Sequence, residues 1–298
     1  VRVLDADAVA ALGPAAAAQA IADALHAGLD PARDPARIPV ELAHGQFLLM
    51  PSQTATAAGV KVVTVAPYNP NRGLPRIQAA YLLFDQDTLA PLAVLDGTAL
   101  TTLRTPAVSV AAVSRRLPGR PLRVTVIGAG PQAVAHVAAL AAARPLLDAT
   151  YLVRDPRRTS LAAVSLGSPQ ANAALQGADV VVCATSARTP LFDSALLGDD
   201  VVVIAVGSHE PDARELDARL LGRATVVVED TATALAQAGD VILAISENTL
   251  RSADLHAMRD VVTGTVLAPP DRPLVFKSVG MSWQDLVVAT AVLQVNEP

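Results

Sequence analysis

Val124-Thr125-Val126-Ile127-Gly128-Ala129-Gly130-Pro131-Gln132-Ala133 is the stretch on which the fold of this chain turns. An apolar, β-branched run enters Gly-x-Gly-x-x-Ala, and an alanine-rich segment of helical character follows. A strand that turns sharply into a helix needs a residue without Cβ at the bend, which Gly128 supplies. Gly130 lets the backbone approach a pyrophosphate. Ala133 is small enough for the helix to pack on the strand while its N-terminus faces the anion. A glycine triplet alone is a weak signal, but the strand before it and the helix after it are the context a dinucleotide site requires.

Downstream, buried apolar runs alternate with alanine-rich helical stretches as far as Val275. The pattern predicts strands over 123–127, 150–153, 180–184, 201–205, 225–228 and 275–276. Such alternation specifies βα units around a parallel sheet covered on both faces, a Rossmann doubly wound α/β domain over 118–276. The second strand is predicted to end at Val153, where the next residue commonly chooses the cofactor. That residue is Arg154, and Arg157 and Arg158 follow closely. An arginine there pairs with the 2′-phosphate of NADP, whereas an acid bonds the ribose of NAD, so NADP is the expected cofactor. The adjacent Asp155 would serve NAD if the strand ended one residue later.

Upstream, residues 37–95 have a different texture, with short apolar runs at 46–50, 60–65, 77–84 and 92–95 broken by Pro, Gly and Asn. These predict a mixed α+β domain. A helical rhythm over 98–117 closes at Leu117-Pro118-Gly119, and a helix over 282–293 returns to this first domain. The expected division is 1–117 completed by 277–298, with 118–276 between.

The 298 residues carry a net charge of -5, so no broad positive field attracts a phosphate backbone, and nucleic acid is not an expected partner. Aromatics make up only 3% and hydrophobic residues 52%, so the core must be built from Ala, Val and Leu. Cys183 is the one cysteine, which excludes an internal disulfide and a cysteine-rich metal site; no metal is expected. It sits in an apolar run and reads as core. The alanine-rich segment 15–24 is interrupted by acids and suits an amphipathic helix rather than a targeting signal. No run approaches the roughly 20 apolar residues of a membrane span, and the expected setting is soluble and cytoplasmic.

Three cations of the first domain attract notice. Lys61 lies inside the apolar run Gly59-Val60-Lys61-Val62-Val63-Thr64-Val65, Arg104 lies in the predicted helix, and Arg37 precedes the first run. A lysine within an apolar strand is costly unless its ammonium finds solvent or an anion. That leaves two readings: an anion site, or a lysine snorkelling from an edge strand.

The order of motifs resembles the ornithine cyclodeaminase and μ-crystallin family. Lys61-Val62-Val63-Thr64-Val65, Arg72-Gly73-Leu74-Pro75 and Leu95-Asp96-Gly97 come first, followed by Leu100-Thr101-Thr102-Leu103-Arg104-Thr105 and the glycine turn. Ala205-Val206-Gly207-Ser208-His209-Glu210-Pro211-Asp212 and Phe276-Lys277-Ser278-Val279-Gly280-Met281 complete the likeness. The resemblance implies a homodimer whose first domain makes the subunit contact and faces a Rossmann domain across a cleft. It implies that Arg37, Lys61 and Arg104 hold a substrate carboxylate, with Lys61 also able to polarise or protonate an imine. It carries cofactor contacts onto Thr105, Gly128, Ala129, Gly130, Gln132, Arg154, Thr185, Ser186, Val206 and Ser278.

One departure bears on function. Relatives that cyclise ornithine resemble one another in having aspartate where this chain has His209, a poor partner for an ammonium side chain. Asp212 resembles an aspartate of the reductase-like branch, and it could also cap the turn that follows. With Lys61, these two are the catalytic candidates. The reading is an NAD(P)H-dependent reductase of a small cyclic α-imino acid such as pyrroline-2-carboxylate. Alternatives are an amino-acid dehydrogenase of the alanine type, a cyclodeaminase lyase with bound NAD, and a non-catalytic, crystallin-like NAD(P) binder.

Overall fold

The alternating stretches of the first hundred residues fold as a six-stranded sheet. β1 (Arg2–Leu4), α1 (Ala6–Ala10) and α2 (Pro14–His26) lead into β2 (Ile38–Leu42), β3 (Gly45–Gln53), β4 (Ala57–Val65), β5 (Ile77–Asp85) and β6 (Pro91–Asp96). The order is β1-β6-β5-β4-β3-β2, with β1 parallel to β6 and the other pairs antiparallel. Period-two alternation sets the faces: Ala57, Gly59 and Lys61 of β4 are buried, and the residues between them are half-buried. In register, Met50, Lys61, Tyr81 and Leu95 form one buried row across four strands. α3 (Gly97–Val113) follows β6 directly. The Asp96 carboxylate starts it by accepting from the backbone N–H groups of Thr98 and Ala99 at 2.9 and 2.8 Å.

Beyond α3 the chain is a run of βα units, made of β7 (Leu122–Ile127), α4 (Pro131–Ala143), β8 (Leu146–Val153), β9 (Ala163–Ser165), α5 (Pro169–Gln176), β10 (Val180–Cys183), β11 (Val202–Ala205), α6 (Ala218–Arg223), β12 (Thr225–Val228), α7 (Thr231–Gln237), α8 (Gly239–Ser246), β13 (Leu255–Ala257), α9 (Met258–Thr263) and β14 (Leu274–Lys277). All pairs in this sheet are parallel, in the order β13-β12-β14-β11-β10-β7-β8-β9. Every residue of β10, β11, β12 and β14 is buried, as near-continuous Val-rich strands demand when helices cover both faces. Cys183 packs in this core. Ser168, Asp217 and Asp230 cap α5, α6 and α7. The short strands β1, β2, β9 and β13 lie outside the sequence-based set: β1, β9 and β13 have only three residues each, and all five residues of β2 are exposed, so no buried apolar run marks them.

The last helix, α10 (Ser282–Val295), packs on α2, β3, β4 and β5. The Asp34 carboxylate accepts from the Trp283 backbone N–H at 2.9 Å and from the Ser52 hydroxyl at 2.6 Å, tying the start of α10 to the segment before β2. Burial, opposed by these bonds, raises the Asp34 carboxyl from its ordinary 3.8 to about 6.

The structure, a computed structural model, describes residues 1–297. It comprises two compact units, one of Val1–Val108 with the segment from Gly280 onward and one of Ser109–Val279. Composition set the boundary at Leu117, but the units part inside α3, and packing gives the reason. The Ser109 hydroxyl meets Nε2 of the buried His136 on α4 at 3.0 Å, and burial pushes that imidazole down to about 4, so it is neutral at physiological pH. Val279 stays with the parallel sheet because its N–H donates to Glu229 at 2.8 Å.

Candidate functional site

In the parallel-sheet unit the chain leaves β7 toward β8 and β9 on one side and resumes with β10 on the other, so the strand order reverses at β7. The crevice at such a reversal, beyond the strands' carboxyl ends, is where doubly wound folds take their ligands. Gly128 stands there with φ +121°, and a Cβ on it would lie 2.5 Å from the Ala184 carbonyl oxygen at the end of β10. Only glycine fits. Gly130 differs, since it is the N-cap of α4 in extended conformation and a Cβ there would meet nothing within 4 Å. No side chain caps α4, Pro131 opens it, and Ala133 is fully buried beneath it. Open space over an uncapped helix N-terminus fits a dinucleotide pyrophosphate.

β8 ends at Val153, as read from sequence, and Arg154 is exposed just beyond it. Asp155 is committed elsewhere: it accepts from the Arg157 backbone and pairs with the Arg157 guanidinium at 2.9 and 3.0 Å. Thr185 and Ser186 follow β10, Val206 follows β11 and Ser278 follows β14, all at carboxyl ends of strands.

Buried carboxylates that sequence reasoning passed over hold these loops. Glu215, fully buried, accepts from the Thr185 N–H and hydroxyl at 2.8 and 2.7 Å and from the Gly207 N–H at 2.7 Å. Burial raises its carboxyl, with Lys277 and Thr185 opposing. Asp240 accepts the backbone N–H groups of Glu215 and Leu216 and lies 3.0 Å from the Lys277 ammonium, which also donates to the Ser208 carbonyl at 2.5 Å. Glu229 accepts from the Ser278 hydroxyl at 2.8 Å. His209 and Asp212 are exposed after β11; Asp212 caps no helix and pairs with Arg188 at 2.5 Å, beside an Arg188–Glu210 pair. Among the described residues no group of three or more His, Cys, Asp or Glu is placed to hold a metal ion, and no helix is long and apolar enough to cross a membrane.

In the other unit, Lys61 is only 2% exposed on an interior strand, which removes the snorkelling alternative. Its ammonium donates to Asp285 Oδ2 at 2.7 Å and to the Thr101 hydroxyl at 3.4 Å. Arg104, also buried, donates from Nε to Asp285 Oδ1 at 3.1 Å and from Nη1 to Gln284 at 2.8 Å. Arg37, half-buried, donates to the Gly280 carbonyl. Gly280 has φ +76°, and a Cβ there would sit 2.9 Å from Arg104 Nη1, so glycine is what lets the guanidinium lie against the backbone. The Thr105 hydroxyl donates to the Thr101 carbonyl at 2.8 Å. Burial lowers Lys61 from 10.5 to about 8; Asp285 opposes that shift, and Arg104 and Arg37 add to it. Lys61 and Arg104 thus meet on one acid, Asp285, which no sequence motif singled out.

The chain is similar to known proteins along most of its length. The chain is 32% identical over 262 residues to ketimine reductase mu-crystallin of Rattus norvegicus, covering 85% of this chain and 82% of that protein. It is 33% identical over 257 residues to a Delta(1)-pyrroline-2-carboxylate reductase of Bacillus cereus, covering 81% and 79%. Delta(1)-pyrroline-2-carboxylate reductase of Thermococcus litoralis, solved in complex with NADH and L-proline, superposes with a TM-score of 0.87 at 26% identity over 99% of this chain and 97% of that one. The family model for ornithine cyclodeaminase/mu-crystallin proteins matches residues 5–296, and the chain belongs to that family.

Proposed function

We propose that this chain is an NAD(P)-dependent imine reductase that converts a small cyclic α-imino acid, of the pyrroline-2-carboxylate kind, into the amino acid. The observation that carries the reading is the pair of buried cations, Lys61 and Arg104, sharing one carboxylate. Burying two cations on one anion is costly unless a ligand brings the missing charge, and an α-imino acid brings a carboxylate. Arg104 and Lys61 bind that carboxylate, and Arg37 adds a third donor. Lys61, lowered to about 8, also suits delivery of a proton to the imine nitrogen near neutral pH. The dinucleotide, when bound, supplies hydride to the imine carbon. Gly128, Ala129, Gly130 and Gln132 would hold its pyrophosphate, and Thr185, Ser186, Val206 and Ser278 would complete its contacts in this unit; Thr105 is a contact the family likeness carries over. His209 and Asp212, exposed on the loop after β11 with Asp212 paired to Arg188, remain the further catalytic candidates of this reading. The lone buried Cys183 suits a cytoplasmic setting.

A homodimer is part of the reading. The sheet face opposite Lys61 carries half-buried Val60, Val62, Leu82 and Val94. On β2, Ile38, Val40 and Leu42 are 50%, 38% and 45% exposed. An apolar sheet face of this extent suits a second copy.

Following NADPH and NADH oxidation with Δ1-pyrroline-2-carboxylate, and separately with 2-oxo acids plus ammonium, tests the reaction. Turnover of the cyclic imine is expected. L-ornithine with NAD should give little proline or ammonia, because His209 replaces the family aspartate; efficient ornithine turnover would refute the reductase assignment. NADPH is the preferred cofactor in this reading because Arg154 stands free at the end of β8 while Asp155 is engaged by Arg157. Arg154→Asp should therefore reverse the order of NADPH and NADH affinities measured by fluorescence titration, and equal or tighter NADH binding by the parent protein would overturn that preference.

A further inference from the structure

Asp285 lies in the first turn of α10 with both oxygens in use and no exposure, Oδ2 on the Lys61 ammonium and Oδ1 on Arg104 Nε. One carboxylate thus sets the direction of two cations brought in by different elements, Lys61 on β4 and Arg104 on α3. Lys61 spends two ammonium hydrogens on Asp285 and Thr101. Arg104 spends Nε and Nη1 on Asp285 and Gln284. The third ammonium hydrogen and Nη2 have no acceptor among the described residues, which is the donor pair a ligand carboxylate takes. We infer that Asp285 is the positioning residue of the carboxylate site, orienting Lys61 and Arg104 for substrate and holding the lysine in its ammonium form. The inference rests on the reading that these two cations bind the substrate carboxylate.

Charge accounting favours this role over plain ion pairing. A structural pair neutralises itself, whereas here two buried cations, Lys61 and Arg104, share the single carboxylate of Asp285, leaving one positive charge for one ligand carboxylate. The groups acting on Lys61 are Asp285 from α10, Arg104 from α3 and Arg37 from the segment before β2. Tyr81 lies opposite it on β5, and Asp34 acts on Asp285 and Tyr81. Of these, Asp285 is the group that favours the charged lysine against burial and two arginines.

Rate–pH profiles of the dinucleotide-loaded protein with Δ1-pyrroline-2-carboxylate test the role, since the substrate's own titration is common to every variant. If protonated Lys61 is needed, kcat/KM falls as pH rises through the lysine's titration. Asp285→Asn should move that limb acidward by about one unit or more and lower kcat/KM at pH 7.5 about a hundredfold. NADH binding should be unchanged. A uniform drop with the limb in place, or no drop, overturns the inference. Should Asp285→Asn fail to fold, Asp285→Glu keeps the charge while displacing the oxygens by a methylene. A positioning role then predicts an unmoved limb with KM raised about tenfold or more, and an unchanged KM overturns it. Lys61→Met separates the two layers. If it retains the parental rate, the carboxylate-site reading fails and this inference with it; if it is inactive while Asp285→Asn keeps the parental profile, only the role of Asp285 falls.

Discussion

Lys61→Met is expected to lower kcat/KM for the cyclic imine by at least about a thousandfold, because it removes a buried charge partner of the substrate carboxylate and a proton donor together. Each is worth roughly 2–5 kcal/mol when water is excluded. Stability should behave differently. The folded pKa of Lys61 is lowered from 10.5 to about 8, so its contribution to stability is fully present above 10.5 and lost as pH falls through 8. At neutral pH the charged lysine therefore weakens the fold, and methionine of similar length relieves that cost while Asp285 keeps Arg104 as its partner. The expected result is a variant that melts near the parental temperature, binds NADH normally and scarcely turns over. Steady-state kinetics beside calorimetry check it, and parental turnover would place Lys61 outside the reaction.

The glycine turn yields the second large effect, as a contrast between neighbours. Gly128→Ala should cost both fold and cofactor. Its Cβ would lie 2.5 Å from the Ala184 carbonyl in a backbone conformation that alanine avoids, so strain of roughly 1–3 kcal/mol adds to the clash. Gly130→Ala should leave the melting temperature almost unchanged, because its Cβ meets no protein atom. It should nonetheless weaken NADH binding about a hundredfold, since the methyl occupies the space over the α4 N-terminus where the pyrophosphate approaches. Isothermal titration and thermal melts of both variants decide it. Normal NADH affinity in Gly130→Ala would move the cofactor away from this turn.

The centre of the parallel sheet was legible because β10, β11 and β12 are short Val-rich runs: 225–228 was read residue for residue as β12, and the end of β8 at Val153 was read correctly too. Lys61 announced itself by being a charge in an apolar strand. Asp285 did not. In 282–293 the sequence offers the apolar residues Trp283, Leu286, Val287 and Val292 for packing of a helix, yet Ser282, Gln284 and Asp285 are buried too. Periodicity reports which residues are apolar, whereas a buried acid is explained by its partners. Those of Asp285 lie 224 and 181 residues away in sequence. Glu215 and Asp240 escaped notice for the same reason, since their partners meet them only in the folded chain.

The division of the first unit into two stretches of chain has a consequence for biosynthesis. Lys61 and Arg104 emerge from the ribosome early, whereas their shared counter-ion, Asp285, emerges only after the whole of 109–279 has been made. The nascent six-stranded sheet must therefore wait with two uncompensated cations and without the helix that covers them. The intervening parallel sheet holds its own core and its own buried ion pair, Lys277 with Asp240, and it can fold in that interval. A polypeptide cut short before α10 would carry a formed nucleotide fold beside an unfinished sheet, and quality control would meet exposed apolar strands instead of a half-active enzyme.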